Sequence, residues 1–362
     1  MKSADFSGPG KESGGKSIDF SEPEKKSGRK RTEFDESGKE PGGKTESGPV
    51  IRILVAAHKR AYAPQNRLIR LVQAGSALAE ERLPGMLHDD EGEHISGRNR
   101  TYCELTVQYY AWKNLEADYY GFFHYRRYMS FAKEYPVTAG RKYAVRPYVE
   151  ADSLRGDLSG YALEEAGIRA VVGKYDVLTV LPERMNVTVC QQFCQFHNRA
   201  DLERMIRILK KRRPEFAAAC DRYMNSRYIY FCNMYIMRRE YFQAYMEWLF
   251  PLLEEFEAGE DCNSCDAKKM RMTGYLAERL FGVYYSWLRQ QGKARCCELQ
   301  YVIFHTGIRQ FRIWRNGPQI AVDMKKVNRL LPPGSMRRRA VRTLAGRAVV
   351  KEKGDWQFRK RR

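Results

Sequence analysis

The sequence predicts an α/β domain built on a central, mostly parallel sheet, and three observations carry that expectation. Short apolar runs of strand length, with Val50 to Ala57 first among them, read as strands buried on both faces. Segments with apolar residues at helical spacing alternate with these runs, as strand–helix–strand units require. Two of the apolar runs stop at basic residues, His58-Lys59-Arg60 and His124-Tyr125-Arg126-Arg127. In such sheets ligands collect at the carboxyl ends of the strands.

Taken in order, residues 1–49 form a low-complexity arm. It repeats loosely: Lys2-Ser3-Ala4-Asp5-Phe6-Ser7, then Lys16-Ser17-Ile18-Asp19-Phe20-Ser21, then Arg31-Thr32-Glu33-Phe34-Asp35. One Phe per repeat among Gly, Ser, Pro, Lys and Glu cannot bury enough apolar surface to offset chain entropy, so disorder is expected there. The ordered domain spans 50–323. Thr101-Tyr102-Cys103-Glu104 has the form of a capping box, and Leu105, Tyr109 and Trp112 follow at helical spacing, giving a helix from about 102 to 115. That explanation of Glu104 leaves it no other role. Strands are expected at 118–125, at 175–181 (stopped by Pro182) and at 228–237, and helices at 239–257 and 273–290. This order puts His58, the 124–127 cluster and the residues after Leu181 on one rim.

The last part, 324–362, carries fourteen Lys/Arg against two Asp/Glu. After Pro332-Pro333-Gly334-Ser335, the residues Met336, Ala340, Val341, Leu344 and Ala348 share one helical face and Arg337, Arg338, Arg339, Arg342 and Arg347 the rest. Such a basic amphipathic helix suits an anionic membrane surface, with a solvated terminal helix as the plain alternative. The chain has no run of eighteen apolar residues and no apolar segment at its start, so a cytoplasmic location is expected, peripheral on the inner face of the membrane. Nine cysteines at irregular spacing, several within apolar segments, fit reduced thiols.

The stretch from Asp118 to Tyr128 carries the most chemical information. An aromatic strand runs into His124, Arg126 and Arg127, and paired guanidinium groups suit a diphosphate, although a solvated strand end would look the same. Asp89-Asp90-Glu91 is the competing locus for a divalent cation, or equally a solvated turn. Cys262 and Cys265 with Cys296-Cys297 do not have zinc-site spacing. His197 and His305 receive no role, and Trp112 and Trp248 sit at core-helix spacing.

Six blocks in order carry a resemblance over about 51–288. They are Ala56-Ala57-His58-Lys59; Asp89 to Ser96 with Asn99; Cys103-Glu104-Leu105-Thr106 leading to Ala111-Trp112-Lys113-Asn114; Gly121 with His124 to Tyr128; Asn233-Met234 with Trp248-Leu249-Phe250; and Gly274 to Leu280. Together they resemble a family of bacterial glycosyltransferases of capsule, exopolysaccharide and lipopolysaccharide synthesis, long catalogued as a domain of unknown function. The chain departs from the family pattern at His94, where Asn is usual.

The resemblance implies a GT-A-like nucleotide-sugar fold and transfer of a sugar, galactofuranose in some members, from a UDP-linked donor to a glycan acceptor, here expected to be lipid-linked. It implies donor-binding roles for Ala57, His58, Lys59, Asn99, His124, Arg126, Arg127 and Asn233. GT-A folds normally hold a divalent metal on Asp-x-Asp, whereas the corresponding strand here ends in His124-Tyr125-Arg126-Arg127, so no metal and no other cofactor is expected. If transfer inverts the anomeric centre, a base must take the acceptor proton. Glu278 is the first choice and Asp89 or Asp90 the next. The alternative function, nucleic-acid binding through the basic tail, is disfavoured because the charge is terminal and no recognition motif accompanies it.

Overall fold

The computed structural model describes residues 48–64, 66–137, 145–151, 154, 157–259 and 271–304, with short stretches at 310–313, 320–323, 329–330, 335–337, 350–352 and 355–357. The expected arm up to residue 47 and most of the basic tail, with Cys262, Cys265 and His305, lie outside the described residues.

Strands β1 (Ile51–Ala57), β2 (Ile69–Gln73) and β3 (Leu87–His88) precede helices α1 (Asn99–Tyr102) and α2 (Leu105–Asn114). Next come β4 (Tyr119–His124), β5 (Arg127–Pro136), β6 (Tyr148–Ala151), α3 (Glu165–Val172), β7 (Val177–Val180) and β8 (Glu183–Arg184). Helices α4 (Val189–Cys194), α5 (Arg199–Arg212) and α6 (Ala217–Met224) lead to β9 (Tyr228–Ile229) and β10 (Tyr235–Arg238). Helices α7 (Arg239–Ala258) and α8 (Met272–Gln291) and strand β11 (Cys296–Phe304) complete the core. Strands β12 (Gln310–Ile313) and β13 (Ile320–Asp323) pair with each other, as do β14 (Val350–Glu352) and β15 (Asp355–Gln357).

The sheet is mixed, which corrects the mostly parallel expectation. Strand β1 pairs parallel with β2 and β4, and β11 pairs parallel with β7 and β6. Between these parallel groups β10 runs antiparallel to both β4 and β7, and β5 runs antiparallel to β11. The reversal at β5 follows from the turn itself: His124 pairs directly with Arg127, too short a connection for any parallel crossover. One consequence survives the correction. The carboxyl ends of β1, β2, β4, β7, β6 and β11 and the amino ends of β5 and β10 all reach the same rim.

Alternation along the strands explains the layers. Ile51, Ile53 and Val55 of β1 join one apolar cluster with Ile168, Val171 and Val172 of α3, while Leu54 joins another formed with α2 and α5 to α8. Tyr120 and Phe122 against Tyr119 and Phe123 divide β4 the same way. Gly121 is required between them: a Cβ there would lie 2.9 Å from Ile236 Cγ1 and 3.0 Å from Ile53 Cγ1. The helical layer is aromatic, with Phe216 and Trp287 ring centroids 4.3 Å apart and Trp248 and Tyr284 5.1 Å apart. Trp248 is buried there as a packing residue.

The capping box at Thr101 does not form. Thr101 lies within α1 and its Oγ1 donates to the Arg98 carbonyl, and Cys103, at φ 51°, breaks the helix before α2 starts. Glu104 therefore precedes α2 with its side chain turned elsewhere.

Candidate active site

A cavity of about 1000 Å³ opens at the rim where the strand ends converge. The end of β1 contributes Ala57 and His58, the β4–β5 turn His124 to Arg127, and α1 with the residues after it Asn99, Arg100, Cys103 and Glu104. Glu183, the loop before β10 and the first turns of α8 complete it. The expected gathering of His58, the 124–127 cluster and the residues after Leu181 is what the structure has.

Four arginines line this cavity: Arg100, Arg126, Arg127 and Arg271. None of them forms an ion pair with a described carboxylate, although three glutamates, Glu104, Glu183 and Glu278, line the same space. Arg126 lies over the Tyr125 ring, 5.2 Å from its centroid, and Arg271 donates from Nε to Cys103 Sγ at 3.4 Å. Four arginines against three glutamates leave the cavity net positive, and guanidinium groups not paired to a carboxylate are open to an anion.

The histidines act differently from those arginines. His58 stands edge-on to Tyr125 at 5.5 Å, and burial, then Lys59, Arg271 and Arg126, lower its pKa, so it is a neutral imidazole at neutral pH. His124 uses Nε2 to hold the Cys232 carbonyl at 2.6 Å. It therefore fixes the loop before β10 as well as lining the cavity. Lys59 is exposed, lies 5.5 Å from the Tyr125 centroid and does not line the cavity.

That loop is strained where it meets the carboxylates. Cys232 and Asn233 both have left-handed backbones, at φ 78° and 46°. The Cys232 N–H donates to Glu278 Oε1 at 2.8 Å, and Glu278 Oε2 accepts Arg279 Nη1 at 3.0 Å. Asn233 is 3% exposed, does not line the cavity, and gives Nδ2 to Glu104 Oε1 at 2.9 Å. The structure thus places Asn233 behind Glu104 and not against a donor. Asn99 does line the cavity, with Nδ2 bound to the Cys103 carbonyl at 2.7 Å and to Thr106 Oγ1 at 3.0 Å.

Asp89 and Asp90, the second choices for the base, are not brought to the cavity. Asp89 is fully buried and accepts four hydrogen bonds: Gly75 N at 2.8 Å, Ser76 N at 2.9 Å, and the Ser96 and Thr106 hydroxyls, each at 2.5 Å. These four bonds clasp the segments around Gly75 and Ser96 to the first turn of α2. Asp90 takes a bidentate contact from Arg82 at 2.9 Å. Among the described residues no three His, Cys, Asp or Glu side chains converge as a metal-binding group, the 89–91 loop included.

Four residues that line the cavity carry no functional role in the sequence analysis: Glu104, set aside there as a cap, Arg100, Arg271, and Glu183, placed on the rim only as part of the stretch after Leu181. The signal for Glu104 was its place in the block Cys103-Glu104-Leu105-Thr106, where the spacing to Thr101 suggested a cap instead. Arg271 stands just before α8, outside the apolar spacing that marks the helix.

Comparison with known proteins bears on this arrangement. The profile of a domain of unknown function, DUF4422, matches residues 52–291. Among solved structures the chain is similar to the apo structure of the WbbM bifunctional glycosyltransferase, at 28% sequence identity and a TM-score of 0.62. The likeness covers 74% of this chain and 48% of that one, so the chain spans about half the length of its relative. No curated protein sequence gives a significant match. Among the described residues no helix is long and apolar enough to cross a membrane.

Proposed function

The chain belongs to the DUF4422 family, and on that premise we propose that it is a glycosyltransferase. It moves a sugar, with galactofuranose the foremost candidate, from a UDP-linked donor to a growing cell-surface glycan carried on a lipid. The observation that carries this reading is the set of four cavity arginines with no described carboxylate partner. A nucleotide-sugar diphosphate supplies the missing negative charge. Likeness to WbbM, a glycosyltransferase, supports the same chemistry.

In this reading Arg126 and Arg127 bind the diphosphate. As the anomeric C–O bond breaks, charge grows on the leaving phosphate oxygen, and the two guanidinium groups stabilise it most at that moment. The pair takes the place of the divalent cation that Asp-x-Asp would hold, so transfer is metal-independent. Neutral His58 and Asn99 offer hydrogen bonds to the donor, and the backbone at Ala57 permits its close approach. The basic 324–362 segment brings the enzyme to the anionic inner leaflet where a lipid-linked acceptor resides.

Calorimetry of UDP and UDP-hexoses binding to the full chain, in EDTA and again with manganese, tests this. Equal binding in both buffers supports an arginine-held diphosphate. Binding only with manganese removes the metal-independent reading, and no binding in either removes the nucleotide-sugar reading altogether.

A further inference from the structure

The three carboxylates at the cavity differ in what their oxygens already hold. Glu278 receives the Cys232 N–H on Oε1 and Arg279 on Oε2. Arg279 is only 3% exposed, so Oε2 of Glu278 is taken up by a buried guanidinium and Oε1 by the loop backbone. Glu183 accepts the Tyr301 hydroxyl on Oε1 at 2.7 Å, which anchors it to β11, and its Oε2, like that of Glu104, has no partner among the described residues, so what sets Glu104 apart is the backbone and amide around it. Glu104 accepts one side-chain hydrogen bond, from the neutral amide of Asn233 on Oε1, and its Oε2 has no partner among the described residues.

The backbone on both sides of that contact is strained. Cys103, next to Glu104, sits at φ 51°, and Asn233 sits at φ 46°. Asn233 also leaves its own Oδ1 buried without a hydrogen-bond partner. An unsatisfied buried carbonyl oxygen costs about 1–3 kcal/mol, and each strained residue a similar amount. Scaffolding alone does not require either, since Glu278 and His124 already pin the same loop through Cys232. Strain and an orphaned amide oxygen converge on one residue: Glu104 lines the cavity, is held through Oε1, and has no described partner on Oε2.

Resting on the glycosyl-transfer reading, we infer that Glu104 is the general base and Asn233 its positioning residue. The acceptor hydroxyl oxygen attacks the anomeric carbon and forms the new C–O bond. The bond from that carbon to the phosphate oxygen breaks, its electron pair leaves on UDP toward Arg126 and Arg127, and the hydroxyl proton passes to Glu104 Oε2. Glu278 holds the loop and takes no proton.

The test uses full-length protein and whichever of UDP-glucose, UDP-galactose and UDP-galactofuranose the wild type binds most tightly. UDP release is followed across pH with water alone and with alkyl hexosides. Glu104→Gln keeps the amide contact and the shape of the side chain. It should bind the UDP-sugar within about twofold of wild type, release UDP at least ~100-fold more slowly, and lose the fall in rate toward acid pH. Asn233→Gly tolerates the left-handed backbone and removes only the amide, so kcat should fall about tenfold with KM for the donor unchanged. Glu278→Gln and Glu183→Gln should keep the acid limb. UDP release by Glu104→Gln within about fivefold of wild type, or an acid limb lost instead in Glu278→Gln or Glu183→Gln, overturns the assignment while leaving donor binding, and so the wider reading, intact. Failure of the wild type to bind any of the three donors overturns both.

Discussion

Two runs of like charge sit beside strands in this chain, Asp89-Asp90-Glu91 after β3 and Arg126-Arg127 at the turn from β4 into β5, and the fold treats them in opposite ways. Asp89 is sealed in the interior under two backbone amides and two hydroxyls. Arg126 and Arg127 stand half-buried at the cavity with no described carboxylate on them. A charge answered within the chain is part of the scaffold. A charge kept near the interior and left unanswered raises the energy of the empty protein and is available to a ligand.

The largest expected effect is on the scaffold side. Asp89→Asn turns a fully accepting carboxylate into a group with two donors facing four donors, and should destabilise the fold by about 3 kcal/mol or more in urea unfolding. Arg126→Ala with Arg127→Ala should do the converse. Unfolding free energy should stay within about 1 kcal/mol of wild type, while UDP affinity should fall about 100-fold or more, the loss of two charge-assisted contacts. If the arginine pair proves the more destabilising of the two, the distinction between scaffold and site fails.

Smaller effects sharpen the same contrast. Arg82→Ala removes the solvent-facing partner of Asp90 and should shift stability by less than about 1 kcal/mol, since the Arg82 side chain is 56% exposed. His58 gives the smallest effect and a sign. Its folded pKa lies below the ordinary imidazole value, so the unfolded chain binds the proton first and stability declines as pH falls below about 6.5. A diphosphate brought in beside His58 favours the protonated ring. Binding of a UDP-hexose, whose doubly esterified diphosphate does not itself titrate near neutrality, should therefore take up protons in that range and strengthen as pH falls. Calorimetry in two buffers of different ionisation enthalpy measures the uptake, and His58→Gln should abolish it.

Much of this was legible in the sequence because it depends on local pattern. The run Ile51-Arg52-Ile53-Leu54-Val55 is apolar enough to mark a strand buried on both faces, and the helices at Arg239–Ala258 and Met272–Gln291 fall within a residue of their expected bounds. The common rim of His58, Arg126 and Arg127 followed from strand ends alone. Strand direction was not legible, because the antiparallel course of β10 depends on pairing across the chain, Tyr235 with Phe122 and with Thr179. Neither was the fate of individual carboxylates. Thr101-x-x-Glu104 and a true capping box read alike, and only the positive φ of Cys103 sends Glu104 toward Asn233. Asp89 reads as an exposed acidic turn until Gly75, Ser76, Ser96 and Thr106 are folded around it.

The structure of the full chain in complex with UDP tests the central claim most directly. The account predicts the β-phosphate oxygens about 2.7–2.9 Å from the guanidinium nitrogens of Arg126 and Arg127, with Asp89 still enclosed by its four donors. A diphosphate bound away from both arginines, or bridged by a metal to the 89–91 loop, would contradict it.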